Sequence, residues 1–386
     1  MELRAARPED LDQIGALLAE RGEPEDAVDH RLVVEDPDGG FGACGVVVED
    51  GRVVSTATLL DETVLLDGVP IPAGQVELVA TDRAYEGRGL VRALMAWAHE
   101  RSARRGHLMQ VMIGIPYFYR QFGYAYAIPI APARPVHTVP AMPAGYRVRT
   151  AVAADIPAMA RLQDEAQRPF DLRMPHSALC WRALVARGGS SQILVERDGS
   201  AVGTGRITPP DDGVVLGEIA ADGPEAVAAL LAHAAATAGG APIEAKERNG
   251  LLASYLGPAE PDASQYYVRV PEVAPLLEHL RPVLSARLAG DDTDDDILVS
   301  FFRHHVRLVR KDGAVVAVER GGPMQGPASQ GGAGVAPDLV GPLLFGPHGM
   351  AGLAALHADV YPGPRGDLMR ALFPPVAADL LTYYLP

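Results

Sequence analysis

The sequence predicts an α/β protein with mixed sheets (α+β in the order of its elements), in which one α/β unit occurs twice and a further α/β region follows. Three observations carry this expectation. Asp-Gly pairs at Asp50-Gly51, Asp67-Gly68 and Asp198-Gly199 separate runs of strand-forming residues, the usual mark of tight hairpins. Helical apolar spacing follows a strand pattern at residues 90–105 and again at Pro224–Ala238. The opening of the chain is also echoed near residue 146. Leu3-Arg-Ala-Ala-Arg-Pro-Glu-Asp10 and Tyr146-Arg-Val-Arg-Thr-Ala-Val-Ala-Ala-Asp155 are each a short basic strand, an Asp-containing helix start and then an apolar helix face.

Taken in order, residues 2–5 form a short strand. Leu11, Ile14, Leu17 and Leu18 give the next helix its apolar face. Residues 41–48 and 52–60 are a hairpin, 76–81 a strand, 90–105 a helix and 108–113 a buried strand. A short helix at 117–122 and a strand at 124–128 complete the unit. Residues 131–145, rich in Pro and Ala, read as a linker. The second unit repeats the plan with strands at 192–196, 201–207 and 214–219. From Tyr266 a third region begins, with a helix at 271–280, a solvated acidic turn at 291–296 and antiparallel strands at 297–303, 305–310 and 314–320. A flexible Gly-rich loop at 321–334 and closing helices follow. The expected domains are therefore 1–135, 136–265 and 266–386.

Bulk properties narrow the function. A chain of 386 residues exceeds one ordinary core, and 48% apolar residues suit a globular protein. A net charge of −15 argues against nucleic acid and is compatible with a cationic partner. Cys44 and Cys180 lack metal or disulfide spacing, and His304-His305 lack a carboxylate partner, so no metal is expected. With no apolar signal region and no membrane-length apolar run, the expected location is the cytoplasm.

The chemistry concentrates at residues 76–95. A strand ends at Thr81, and Glu86-Gly87-Arg88-Gly89-Leu90-Val91 turns into a helix. Amides at a helix start lack internal partners, and glycine lets a phosphate come close to them. Arg88 and Arg92 add positive charge. A Gly-x-Gly pair also simply makes turns. The segment is neither a Walker loop nor a dinucleotide fingerprint, because the Lys-Ser/Thr and the third glycine are both missing. The acidic stretch carrying Glu23, Glu25, Asp26 and Asp29 suits either an entrance for a cationic amine or a plain solvated loop.

This turn resembles the pyrophosphate motif of the GNAT acetyltransferase superfamily, matching at Gly89 and departing at Glu86 and Val91. Gly114-Ile-Pro-Tyr117-Phe118-Tyr119-Arg120-Gln121-Phe122-Gly123-Tyr124 is similar to the aromatic segment that follows the fifth strand of those enzymes. The resemblance implies acetyl-CoA as co-substrate, held by Val79, Ala80 and Thr81 along its pantetheine arm and by Gly87, Arg88, Gly89, Leu90 and Val91 at its pyrophosphate. It implies Tyr119 as the general acid; a packed aromatic is the plain alternative. Glu218-Ile-Ala-Ala-Asp-Gly-Pro-Glu225 replaces the glycine turn in the second unit, which confines the chemistry to one site per chain.

The whole layout resembles the Eis-like family, named for enhanced intracellular survival. That likeness implies a duplicated GNAT fold with a sterol-carrier-protein-like third domain, a homo-hexamer, and acetylation of small cationic amines such as aminoglycosides, hence antibiotic resistance. It also implies that the chain's terminal carboxylate, here on Pro386, is the general base, and that the acidic loop borders the acceptor pocket. The apolar tail Leu380-Leu-Thr-Tyr-Tyr-Leu-Pro386 suits burial, by insertion or by plain docking. Two further readings are a protein-lysine acetyltransferase and a non-catalytic acyl-CoA-binding or sensory protein; Glu86 supports the latter.

Overall fold

A computed structural model describes residues 1–208, 213–259, 264–290 and 293–382. The first stretch contains β1 (Glu2–Ala5), α1 (Leu11–Arg21), α2 (Asp26–Val34), β2 (Cys44–Glu49), β3 (Arg52–Leu66), β4 (Val69–Thr81), α3 (Leu90–Arg104), β5 (Met109–Met112) and β6 (Ala125–Pro129). The second contains β7 (Ala133–Pro135), β8 (Tyr146–Thr150), α4 (Ile156–Gln167), β9 (Leu172–Met174), α5 (Ala178–Ala186), β10 (Ser191–Arg197), β11 (Ser200–Thr208), β12 (Val214–Ala221), α6 (Pro224–Ala238) and β13 (Ile243–Lys246). The rest comprises β14 (Gln265–Arg269), α7 (Val273–His279), α8 (Arg281–Arg287), β15 (Ile297–Ser300), β16 (His305–Lys311) and β17 (Ala314–Gly321). These are followed by β18 (Ala333–Val335), α9 (Val340–Phe345), α10 (Gly349–Leu356), β19 (Val360–Tyr361), α11 (Gly366–Leu372) and β20 (Ala378–Leu380).

The Asp-Gly turns form for the reason the sequence suggests. Asp50-Gly51, Asp67-Gly68, Asp198-Gly199 and Asp312-Gly313 all have positive φ at both residues, the geometry whose twist matches paired strands. The repeat is equally concrete. Arg4 grips Asp10 with two nitrogens at 2.6 and 2.9 Å, and Arg149 grips Asp155 at 2.6 and 2.8 Å. In both copies the same carboxylate accepts the N–H three residues earlier, from Arg7 and from Val152, at 2.8 Å. Each aspartate thus joins a strand end to a helix start.

The described residues form three sheets. The first runs β1-β2-β3-β4-β5-β14-β6, with β9 on the end of β3 and β20 on β9. The second runs β7-β13-β12-β11-β10-β8, and the third β17-β16-β15-β18-β19. The run β1-β2-β3-β4-β5 of the first matches β8-β10-β11-β12-β13 of the second; the next place is filled in the first by β14, from the chain that follows the second sheet, and in the second by β7, from the chain ahead of β8. β14 lies between β5 and β6, while β7 flanks β13. The residue 135/136 boundary therefore follows a strand of the second sheet, and the 265/266 boundary cuts β14, a strand of the first. Local patterning reveals a strand but not its partner, so this exchange was hidden.

Other departures are local. The strand expected at 76–81 is the end of the longer β4. Phe41–Ala43 is a single tight helical turn that precedes β2. The linker at 131–145 contains β7, and the loop at 321–334 contains a turn at Pro327–Gln330 and then β18. Asp291 and Asp292 of the acidic turn lie outside the described residues.

Candidate acetyl-transfer site

β4 and β5 run parallel and pair only from Ala73↔Met109 to Gln75↔Val111. Beyond Gln75, β4 continues to Thr81 while β5 ends at Met112. The strands part, and the β4 edge that faced β5 has no strand partner there. Leu78, at φ +53, forms a bulge, and the register with β3 slips between Thr56 and Thr58. Bulges re-aim strand edges at functional sites. An unpaired edge of N–H and C=O groups suits an extended amide chain, which is what a pantetheine arm offers.

The edge opens into a cavity of about 260 Å³. Its walls include Leu18, Arg21 and Asp26, the β4 residues Val76–Ala80, Met112–Ile115 and Tyr119. Of the expected cofactor contacts, Val79 and Ala80 line it, whereas Thr81 bonds Ser55 through the two hydroxyls at 2.7 Å. At the far end of β4 the turn is built as expected. Asp82 accepts the Ala84 N–H at 2.8 Å and pairs with Arg52. Gly87 and Gly89 have φ of +75 and +79, and a Cβ on either would meet nothing within 4 Å. The first intrahelical bond of α3 is Ala93 N–H to Gly89 C=O, so the amides of Leu90, Val91 and Arg92 precede the helical ladder. Arg88 lies over the Tyr85 ring at 4.5 Å, beside this turn. Together these groups fit a pyrophosphate.

Glu86, whose charge departs from the family pattern, is exposed and has a cationic partner. It pairs with Arg21, at the end of α1, at 2.5 Å. That pairing sets a positive charge against the carboxylate.

Gly89→Ala should raise the Kd for acetyl-CoA by about tenfold, because Ala in a left-handed conformation costs about 1–2 kcal/mol and resists the geometry that exposes the amides. An isothermal titration reads this directly; an unchanged Kd would contradict the turn's role.

Across the cavity wall, Tyr119 is buried on a short helical turn, Phe118–Phe122. Burial raises its phenol to about 12, and its hydroxyl has no hydrogen-bond partner among the described residues. The four loop acids divide. Glu23 and Glu25 are exposed, while Asp26 and Asp29 are buried. Asp26 lines the cavity and accepts the Glu23 N–H at 3.0 Å. Asp29 pairs at 2.5 Å with Arg187, which follows α5. Burial raises both carboxyls above their ordinary range. Pro386 lies outside the described residues.

Sequence reasoning missed Glu77. This carboxylate is buried, lines the cavity, and bonds the side chain of Gln75. Burial lifts it to about 7, with Gln75 partly opposing the shift. The available signal was a carboxylate inside an otherwise apolar strand run, Val76-Glu77-Leu78-Val79.

Glu62, buried on β3 beneath Ser177 and Cys180, is lifted by burial to about 8. The folded state thus holds a proton that the unfolded carboxyl releases near its ordinary pKa of about 4.3. Its contribution to stability is full below that value and is lost as pH rises toward about 8. Glu62→Gln should gain stability relative to the parent chain as pH rises from 5 to 9, measured by urea unfolding. A difference independent of pH would contradict this.

The second sheet keeps the bulge, but its edge is filled. Glu218 on β12 has φ +49, as Leu78 does on β4. Here side chains occupy the parted edge: Gln163 donates to the Glu218 carbonyl at 2.5 Å and Arg248 to the Ile219 carbonyl at 3.5 Å. The Glu218 carboxylate is buried between Arg206 at 3.1 Å and His176 at 3.0 Å. α6 begins with Pro224, which has no amide to offer.

Among the described residues no group of three His, Cys, Asp or Glu could hold a metal, and no helix is long and apolar enough to cross a membrane. His305 bonds the Gly322 carbonyl at 2.8 Å.

The comparisons bear on the domain family and the fold. Residues 2–127 match the model of the acetyltransferase (GNAT) domain family. The chain carries a GNAT acetyltransferase domain. That match spans the first-sheet cleft, the glycine turn and Tyr119. No curated protein matches the chain in sequence. Solved structures of the same extent share its fold. A GCN5-related N-acetyltransferase from Anabaena variabilis is 14% identical, with 98% of each chain covered and a TM-score of 0.72. One from Kribbella flavida is 18% identical, with 99% of this chain and 98% of that chain covered and a TM-score of 0.67. Eis1 from Mycobacterium abscessus is 15% identical, with 98% and 99% covered and a TM-score of 0.65. The fold is thus the GNAT fold within an Eis-like multi-domain architecture.

Proposed function

We propose that this protein moves an acetyl group from acetyl-CoA to a primary amine of a small cationic acceptor, polyamine-like or aminoglycoside-like, by direct attack in the GNAT cleft. The observation that carries this is one cavity, at the point where β4 and β5 part, that joins Tyr119, Glu77 and Asp26. Val79, Ala80 and Thr81 hold the pantetheine arm, and the residues from Gly87 to Val91 hold the pyrophosphate. An amide along the Val79 edge faces the oxygen that becomes an oxyanion. The amine nitrogen attacks the acetyl carbon, and the carbon–sulfur bond breaks. Tyr119 gives its proton to the departing thiolate, and the ammonium proton passes to a carboxylate. Burial disfavours a free thiolate as it disfavours the phenolate, so the shared site does not by itself widen the gap between donor and acceptor.

Glu77 is the base in this reading, since its carboxyl, at about 7, divides between the two protonation states at neutral pH. The Pro386 carboxylate is the second reading, and the course of the chain favours it. β20 runs parallel to β9, β9 antiparallel to β3, and β3 antiparallel to β4, so β20 points the same way as β4. Six residues beyond Leu380 span at most roughly 20 Å when extended, about the length of β4 between Ile71 and Glu77. The hexamer implied by the Eis-like layout remains part of this proposal.

An acceptor panel at fixed acetyl-CoA tests the reading. Polyamines should exceed monoamines of equal size in kcat/KM by about tenfold or more, because two carboxyls face the acceptor. Equal values would remove the cationic acceptor. A lysine peptide preferred over every small amine would favour protein acetylation, and acetyl-CoA binding without thiol release would favour a sensor.

A further inference from the structure

Tyr119 sits on the loop that leaves β5, and this loop is held in an unfavourable form. Ile115 and Tyr117 are largely exposed, and Tyr117 has φ +69 and ψ −31. A bulky residue there is strained and persists only where its surroundings compel it. Two tyrosines from outside the loop supply that constraint. The Tyr117 N–H donates to the Tyr126 hydroxyl at 3.2 Å, and the Tyr267 hydroxyl donates to the Ile115 carbonyl at 3.2 Å. The two hydroxyls lie 2.8 Å apart. Each hydroxyl has one proton, so the count closes in one direction. Tyr117 N–H gives to Tyr126, Tyr126 O–H to Tyr267, and Tyr267 O–H to Ile115.

The rings serve the same end. Tyr126 and Tyr267 stack at 4.1 Å, and Tyr267 meets Tyr119 nearly edge-on at 5.9 Å. Gly114 leaves no slack either, since a Cβ there would lie 2.3 Å from the Tyr119 ring. Arg120 lies 5.6 Å from the Tyr117 ring and 5.5 Å from the Tyr126 ring. Tyr267 belongs to β14, the strand that reaches the first sheet only after the chain has completed the second.

We infer that Tyr126 and Tyr267 are positioning residues for the general acid: their hydroxyl pair fixes the loop ends around Ile115–Tyr117, and the Tyr267 ring fixes the Tyr119 side chain. The inference rests on Tyr119 being the acid. It also gives the strand exchange a purpose, because the GNAT site of the first sheet is complete only when β14 is seated in it.

A double-mutant cycle tests this on the full chain. Tyr267→Phe keeps the stacked ring and removes the hydroxyl. It should lower kcat about tenfold and leave the acetyl-CoA Kd unchanged, since a misplacement near 1 Å is enough for such losses. Tyr126→Phe should do the same. In a Tyr119→Phe background, Tyr267→Phe should cost nothing further, because the group it positions is gone. A plain packing defect would instead lower kcat in both backgrounds alike, and that additivity would overturn the inference. A fully active Tyr119→Phe enzyme would remove the acid and the inference together. A normal Tyr119→Phe loss beside fully active Tyr267→Phe and Tyr126→Phe enzymes would remove the positioning pair alone.

Discussion

Tyr119→Phe should lower kcat by about 10²-fold or more while the Kd for acetyl-CoA stays within about twofold of the parent value. The physical case is specific. The phenol lines the cavity where β4 and β5 part, and burial holds its proton up to about 12, so it is loaded at every working pH. Phenylalanine keeps the ring contacts with Phe118 and Tyr267 and removes only the proton. In the proposed site the β4 edge and the glycine turn hold the co-substrate, and the substitution leaves both alone. The loss should therefore appear in kcat and kcat/KM together, and steady-state kinetics beside calorimetric binding reads both. An equally active variant would return Tyr119 to the status of a packed aromatic.

Glu77→Gln should lower kcat/KM for the acceptor by about 10²–10³-fold and change the pH profile. A base works only when deprotonated, and burial lifts this carboxyl to about 7. In the parent enzyme kcat/KM should therefore rise with pH through about 7 and then level, unless the acceptor's own ionisation adds a limb above it. A bound ammonium stabilises the carboxylate, so the matching limb in kcat should lie at lower pH. Glutamine removes both limbs. A profile that keeps its limb in Glu77→Gln, but loses it with the last two residues deleted, would transfer the role to the Pro386 carboxylate.

Much of this was legible locally. The Asp-Gly turns, the helix opening at Leu90 and the Arg–Asp clasp repeated at Arg4 and Arg149 are short-range features, set by backbone preference and by neighbours within six residues. The same holds for the glycine turn and the aromatic run at Tyr117–Tyr124. What stayed hidden depends on distant partners. Glu86 looked hostile to a phosphate until Arg21, 65 residues earlier, took its charge. Two of the four loop acids are buried only because α2 folds against α5 and Arg187 reaches Asp29. Glu77 is a single carboxylate in an apolar strand run, and its place at the cavity depends on where β4 and β5 part. Tyr267 carried no signal, since nothing in Gln265-Tyr-Tyr-Val-Arg269 says which sheet the strand joins.

The most direct measurement is a calorimetric titration of the full chain with acetyl-CoA. The GNAT cleft offers an open strand edge and free helix-start amides, whereas side chains fill the corresponding edge in the second sheet. Saturation at one acetyl-CoA per chain, with affinity lowered by Gly89→Ala, is the expected result. Two equivalents per chain would contradict the closed second cleft, and no binding would contradict the acetyltransferase site itself.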